Sequence, residues 1–171
     1  FVKRKDWADL ENYLSEMSKS IPSSELKLCE NNAIDGVAGH YYHRYKDLEI
    51  PCVFKLELPK ELSVSEIDIC LVLSNLLENA LEASMRTAPD KRRITVFARM
   101  HSDNVVLIKV ENFYNGVVKE KNGIFESSKH SGEGIGTQSV RRIAEKGGGY
   151  CRFTQKDGIF TADVMLRGNS K

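Results

Sequence analysis

The sequence predicts an α+β protein: a two-layer α/β sandwich preceded by a helical segment. Three observations carry that expectation. Stretches with period-two hydrophobicity occur in pairs closed by short turn-forming dipeptides, as antiparallel hairpins require. A long stretch around residues 71–84 keeps Leu73, Leu76, Leu77 and Ala80 on one side of a helix, giving a single face to bury. The helices and strands are interspersed, and mostly antiparallel strands with helices on one face make two layers.

Taken in order, residues 6–20 read as a helix, with Asp6 as a cap and Trp7, Leu10, Leu14 and Met17 at helical spacing. Ile21-Pro22 interrupts it, because proline disfavours helical geometry in the residue before it. A second helix starts after Ser23-Ser24 or around Asn31-Asn32 and runs to about Asp47, despite Gly36 and Gly39. Residues 50–58 alternate as a strand, with Cys52, Phe54, Leu56 and Leu58 on one side, and Pro59 ends it. Ser65 and Asp68 open a helix to about Arg86, closed by Ala88-Pro89-Asp90. Strands follow over residues 93–101 and 104–111, joined at Ser102-Asp103. From Asn112 to Gly136 the pattern dissolves into a long loop, and loops of that length are usually functional. Residues 138–146 read as a helix stopped by Gly147-Gly148-Gly149. Strands over 150–155 and 159–166 turn at Asp157-Gly158. A boundary is placed after residue 47, dividing a helical segment, 1–47, from a sandwich domain, 48–171.

Composition narrows the function. The 171 residues are 41% hydrophobic, as in an ordinary globular chain. Lys plus Arg, 25, nearly cancels Asp plus Glu, 24, for a formal charge of +1, so nothing in the charge argues for nucleic acid. A phosphorylated small molecule needs only a local positive site. The longest apolar runs, Ile69–Leu73 and Val105–Ile108, fall far short of the roughly 20 residues that span a bilayer. No signal peptide follows Lys3-Arg4-Lys5, and a chain opening on Phe1 is expected to be a fragment of something longer. The four cysteines, Cys29, Cys52, Cys70 and Cys151, lack zinc-site spacing and read as reduced thiols of a cytosolic protein.

The stretch from Leu71 to Ser84 is the most informative. At about 100° per residue, Asn75, Glu78, Asn79 and Glu82 share one face, while Leu73, Leu76, Leu77, Ala80 and Ser84 take the other. An amphipathic helix with a solvated outer face explains glutamates well. It explains asparagines less well, because their side chains compete for backbone hydrogen bonds. An amide oxygen is, however, a good ligand for Mg²⁺, which bridges protein oxygens to phosphates. Later in the chain, Gly132, Gly134 and Gly136 alternate with other residues just before a helix. Glycines let backbone N–H groups approach phosphate oxygens, and a helix N-terminus adds donors and a favourable dipole. Lys129 upstream supplies a positive charge. A flexible turn is the other reading. The spacing fits neither a dinucleotide fold nor a P-loop.

The two features together resemble the GHKL family of ATP-binding domains. Residues 73–83 (LSNLLENALEA) look like its N box and residues 131–140 (SGEGIGTQSV) like its second glycine box; the likeness spans about 49–167. Within the family the sequence is most similar to sensor histidine kinases of the quorum-sensing and autolysin-regulator type. The matching stretches are Asn112-Phe113-Tyr114-Asn115-Gly116, Ser127-Ser128-Lys129, Gly134-Ile135-Gly136 and Glu145-Lys146-Gly147-Gly148. The resemblance implies a Bergerat-type fold that binds ATP with Mg²⁺. Asn79 would hold the metal, with Asn75 supporting the phosphates or the metal's water shell. Residues 113–131 would form a lid over ATP, with Lys129 on phosphate and Gly132, Gly134 and Gly136 wrapping it. Gly116 belongs to the first of these motifs.

One departure stands out. Most of the family places Asp-x-Gly-x-Gly before the lid, with the Asp on the adenine amino group. This chain has Asn112, which accepts that hydrogen bond without charge assistance, so weak affinity is expected. None of His40, His43, His101 and His130 matches the subgroup's phosphoacceptor pattern, so the acceptor is expected upstream of Phe1. Residues 1–47 would then be the tail of a dimerisation region. The resemblance further implies a homodimeric, membrane-anchored bacterial sensor whose cytoplasmic part includes this chain, and a cognate response regulator as partner. Two other readings stand beside it. One is a degenerate GHKL module acting in dimerisation or partner binding. The other is an ATP-gated machine of the MutL kind, with Glu78 as water-activating base; for Glu78 a solvated carboxylate is the preferred reading.

Overall fold

The computed structural model describes residues 26–115, 120–121, 124–125 and 135–169. The helix expected over residues 6–20 lies outside them. Helix α1 (Asn32–Asp47) resolves the two starts that the sequence left open. Asn31 caps it, its side chain accepting from the Ile34 N–H at 3.1 Å. The Asn31 amide also donates to the Lys60 carbonyl at 2.9 Å and to Glu66 at 2.7 Å, tying the cap to the segment that leads into the next helix. Ile34, Val37, Ala38, Tyr41 and Tyr45 recur at helical spacing and are buried.

Strand β1 (Cys52–Glu57) is followed by helix α2 (Glu66–Met85) and then by strand β2 (Ile94–Ser102). Because a helix separates them, β1 and β2 pair in parallel. Ser65 caps α2 by accepting from the Asp68 N–H at 3.2 Å, with Glu66 and Asp68 in the first turn, where acids suit the helix dipole. Ile69, Val72, Leu73, Leu76, Leu77 and Ala80 form its buried stripe. Burying each of the larger side chains stabilises the fold by about 1.5–3 kcal/mol.

Strands β2 and β3 (Val105–Phe113) form a hairpin that turns one residue later than the sequence suggested. A bulge between Met100 and Ser102 absorbs the extra residue, so Ser102 still pairs with Val105. A two-stranded ribbon, β4 (Glu120–Lys121) and β5 (Ile124–Phe125), lies within the segment expected to be loop. Helix α3 (Ile135–Lys146) starts three residues before the expected Gln138, taking Gly136 and Thr137 into its first turn. The second hairpin joins β6 (Tyr150–Lys156) to β7 (Ile159–Arg167). Asp157 and Gly158 both have positive φ, 53° and 75°, as its two-residue turn requires.

The sheet is mixed and five-stranded, in the order β1-β2-β3-β7-β6. Helices α1, α2 and α3 pack on one face, giving the expected α+β two-layer architecture. The inward positions are Ile94, Val96 and Ala98 of β2, Val106, Ile108 and Val110 of β3, and Ala162, Val164 and Leu166 of β7. Helix α1 shares this core with the sheet: its buried residues belong to the same cluster as those of α2 and the strands. No described helix is long and apolar enough to cross a membrane. The outer face of the sheet is set with ion pairs, Lys55–Glu57, Lys109–Glu111 and Arg152–Asp163, around a shallow depression of about 440 Å³.

Candidate functional site

The site assembles where α2 meets the start of α3. Asn75 and Asn79, one turn apart on α2, stay half-exposed in a helix whose other side is buried. The Asn75 amide NH₂ donates to the Leu71 carbonyl at 2.8 Å. That back-bond uses the donor end and leaves the amide oxygen as the outward, accepting end. Among the described residues no hydrogen bond engages the Asn79 amide.

Gly136 lies against both asparagines. A Cβ built there would sit 3.2 Å from Nδ2 and 3.3 Å from Oδ1 of Asn79, and 3.4 Å from Oδ1 of Asn75. The glycine therefore lets the first turn of α3 approach two amides closely. The N-terminus of that helix carries N–H donors without helical partners and the positive end of its dipole. Neutral oxygen ligands thus face an anion-attracting helix end, which is the pairing a metal–phosphate ligand calls for. A cluster of three or more His, Cys, Asp or Glu side chains suited to a metal is absent among the described residues. The donor set here is amide oxygen, which suits a hard cation such as Mg²⁺.

Asn112 enters from the sheet. It continues the inward register of Val106, Ile108 and Val110, is 4% exposed, and is flanked in the ladder by Ile94 and Phe160. Its NH₂ donates to the Phe113 carbonyl at 3.0 Å, leaving its oxygen to accept. Two further polar residues near this strand end went unremarked in the sequence as site residues. Thr87, also buried, donates to the Ala83 carbonyl at 2.8 Å and lies 3.4 Å from that same Phe113 carbonyl. Ser84, one turn back on α2, is fully buried, and its hydroxyl has no hydrogen-bond partner among the described residues. An orphaned hydroxyl inside a core is costly unless a ligand or water meets it. The signal was present in the sequence: Ser84 occupies the apolar side of the helix.

Glu78 keeps a partly solvated carboxylate, its side chain 40% exposed, and also reaches α1, accepting from the Tyr41 hydroxyl at 3.0 Å and from Nη1 of Arg44 at 2.9 Å. A residue 60° from one asparagine and 100° from the other points to a neighbouring helix, not into the same space. At 40% exposure of both side chains, the Arg44–Glu78 pair contributes no more than about 1 kcal/mol. His40, on α1, is held below the usual histidine range by burial and then by Arg44, with Glu78 opposing. His101 is exposed on β2, and His130 lies outside the described residues. Gly116, Lys129, Gly132 and Gly134 also lie outside them.

A family model described as the GHKL domain matches residues 64–167, more than half of the chain. Among solved structures, the fold is similar to the catalytic domain of the histidine kinase ThkA, at 17% identity and a TM-score of 0.61, covering 81% of this chain and 92% of that one. It is similar to a mycobacterial sensor histidine kinase, MprB, at 17% identity and a TM-score of 0.54, covering 81% and 95%. It is also similar to the Acinetobacter baumannii histidine kinase AdeS, at 15% identity and a TM-score of 0.55, covering 95% and 77%. At these identities the likeness is one of fold. No curated protein matches the chain significantly in sequence.

Proposed function

The chain belongs to the GHKL domain family, and we propose that it is the ATP-binding catalytic domain of a sensor histidine kinase of the quorum-sensing and autolysin-regulator type. The observation that carries this reading is the seating of Gly136 on Asn75 and Asn79. Residues 57 to 61 positions apart meet there, and the side chains that the glycine faces are amides, not apolar groups. In this reading Asn79 holds Mg²⁺ through its amide oxygen, and Asn75 supports the phosphates or the metal's water shell. The metal supplies neutralisation of phosphate charge.

The chain's own contributions follow from its geometry. The first turn of α3 offers N–H groups to the phosphates, and the absent side chain at Gly136 lets it come close. Asn112, fixed by its bond to the Phe113 carbonyl, presents an oxygen that accepts from the adenine amino group. Ser84 and Thr87 would add polar groups at the adenine end of the site. Residues 113–131, with Gly116, Lys129, Gly132 and Gly134, are assigned to the lid. Catalysis then rests on positioning and charge neutralisation.

The γ-phosphoryl group goes, in this reading, to a histidine upstream of Phe1, in a dimerisation region whose tail is residues 1–47. The parent is a membrane-anchored homodimer with this part in the cytoplasm, and its phosphoryl group passes to a cognate response regulator. Incubated alone with radiolabelled ATP and Mg²⁺, the chain should bind nucleotide without labelling any histidine. Label on His40 or His43 would overturn the upstream acceptor.

Asn112 favours a second reading, a degenerate module kept for dimerisation or partner binding, because a neutral amide grips adenine less well than a carboxylate does. Calorimetry separates the two. The kinase reading expects measurable binding of ADP with Mg²⁺; no heat at millimolar nucleotide leaves only the degenerate module.

A further inference from the structure

Helix α2 is gripped from both sides at the same level. On one side lies Gly136 of α3, against Asn75 and Asn79. On the other lies α1, whose contacts fall on the two residues just before Asn79. The Tyr45 hydroxyl donates to the Leu77 carbonyl at 2.7 Å. Tyr41 and Arg44 both reach the same oxygen of Glu78, at 3.0 and 2.9 Å. The Arg44 guanidinium also lies over the Tyr41 ring, 5.7 Å from its centre, which limits its freedom to swing away.

These contacts sit oddly for a purely structural role. A half-exposed ion pair does little for stability. The Leu77 carbonyl lies mid-helix, where the helix itself already provides a partner. What the contacts do fix is the rotation of α2 about its own axis. A helix turned by a few degrees moves its side chains by tenths of an ångström, which changes how the Asn75 and Asn79 amides meet the backbone at Gly136, close enough that an added Cβ would stand 3.2–3.4 Å from them.

We propose that Arg44, Tyr41 and Tyr45 are positioning residues for the nucleotide site: through Glu78 and the Leu77 carbonyl they set the rotation of α2 that presents Asn75 and Asn79 to metal and phosphate. This rests on the function proposed above and deepens it. Glu78, within the asparagine motif, serves as the handle by which α1 holds the motif, and not as a base. Since α1 lies on the chain's path from its upstream residues, the orientation of that helix sets the affinity of the metal–phosphate half of the site. The adenine half, built on Asn112 at the sheet, is left unaffected.

The test uses the difference between those halves. ADP affinity is measured by calorimetry with Mg²⁺ and with EDTA, in the wild type and in Arg44→Ala, Arg44→Lys, Glu78→Ala and Glu78→Gln. The ratio of the two affinities reports the metal-dependent part. It is expected to fall about 3- to 10-fold in Arg44→Ala and Glu78→Ala, while the EDTA value moves less than about twofold. Arg44→Lys should restore most of the ratio. The double variant Arg44→Ala, Glu78→Ala should be no worse than either single one, as for two residues acting through one contact. Glu78→Gln keeps an acceptor for Tyr41 and nearly the same shape, so its ratio can be read even if the alanine variants fold poorly. An unchanged ratio in all four variants overturns the proposal, as does an equal loss with and without metal, which marks a role in folding alone. A wild type that binds no nucleotide instead overturns the function on which the proposal rests.

Discussion

Replacing Gly136 by alanine separates the site from the fold, because it should push stability and binding in different directions. The new Cβ would stand 3.2 and 3.3 Å from the amide atoms of Asn79 and 3.4 Å from the Asn75 oxygen. These are a few tenths of an ångström inside comfortable contact, and the atoms concerned end a side chain that can rotate. Asn79 is therefore expected to swing aside in the free protein. Forcing it back, off its preferred rotamer, costs about 0.5–1.5 kcal/mol. That cost falls on binding alone and predicts a loss in Mg²⁺–ADP affinity of about 2- to 13-fold. The fold loses nothing comparable, since alanine is favoured over glycine in a helix by up to about 1 kcal/mol. A melting temperature unchanged or raised by about 0–4 °C follows for a chain of this length. Calorimetry with Mg²⁺–ADP and a circular-dichroism melt measure both quantities. Gly136→Val, with more atoms in the same space, should bind more weakly still. If both variants bind within twofold of the wild type, Gly136 does not guard the asparagines and the reasoning fails.

Further perturbations address other parts of the structure. Asn79→Ala should lower Mg²⁺–ADP affinity by at least about tenfold and leave the affinity in EDTA nearly intact, a difference that calorimetry with and without chelator reads directly. Gly149→Ala puts a Cβ 2.0 Å from the Met165 carbonyl oxygen, where only backbone can yield. A loss of more than about 3 kcal/mol is expected, seen as a melting temperature lowered by more than about 6 °C; an unchanged melt would refute that packing. Burial pushes the Cys70 thiol up to about 12, and Cys29, Cys52, Cys151 and Tyr45 are raised in the same direction, first by burial. Their protons are held more tightly folded than unfolded, so the stability they lend is complete below about pH 9 and is lost as pH climbs toward 12. Urea midpoints at pH 7, 9 and 10.5 should fall in that order, and a rise would contradict the burial of these groups.

The helices and strands were legible because their signals are local. Ser65 announces a cap, Asn31 one of two possible starts, and Asp157-Gly158 a hairpin, through side-chain and backbone chemistry within a few residues. The ends that moved did so for reasons no local pattern carries. A bulge shifted the β2–β3 turn, and helix α3 began inside the glycine-rich stretch. The asparagines were legible because they are disfavoured where they stand. Their meeting with Gly136 was not, since it depends on how α3 docks beside α2. For the same reason the partners of Glu78 were not legible: helical periodicity gives its direction from the axis, but not that Tyr41 and Arg44 lie along it. Ser84 and Thr87 carried a weak signal, polar residues on or beside an apolar register, which became meaningful only with the burial and the orphaned hydroxyl in view. The lid residues Gly116, Lys129, Gly132 and Gly134 rest on the motif resemblance.

The most direct test is to find where the metal goes. In ¹⁵N-labelled protein with ADP, Mn²⁺ in place of Mg²⁺ broadens the resonances of nuclei near it. Broadening centred on the side-chain amides of Asn79 and Asn75 and on the backbone amide of Gly136, seen only when ADP is present, is the predicted result. Broadening centred elsewhere, or equal with and without ADP, would contradict a metal–nucleotide site at these three residues.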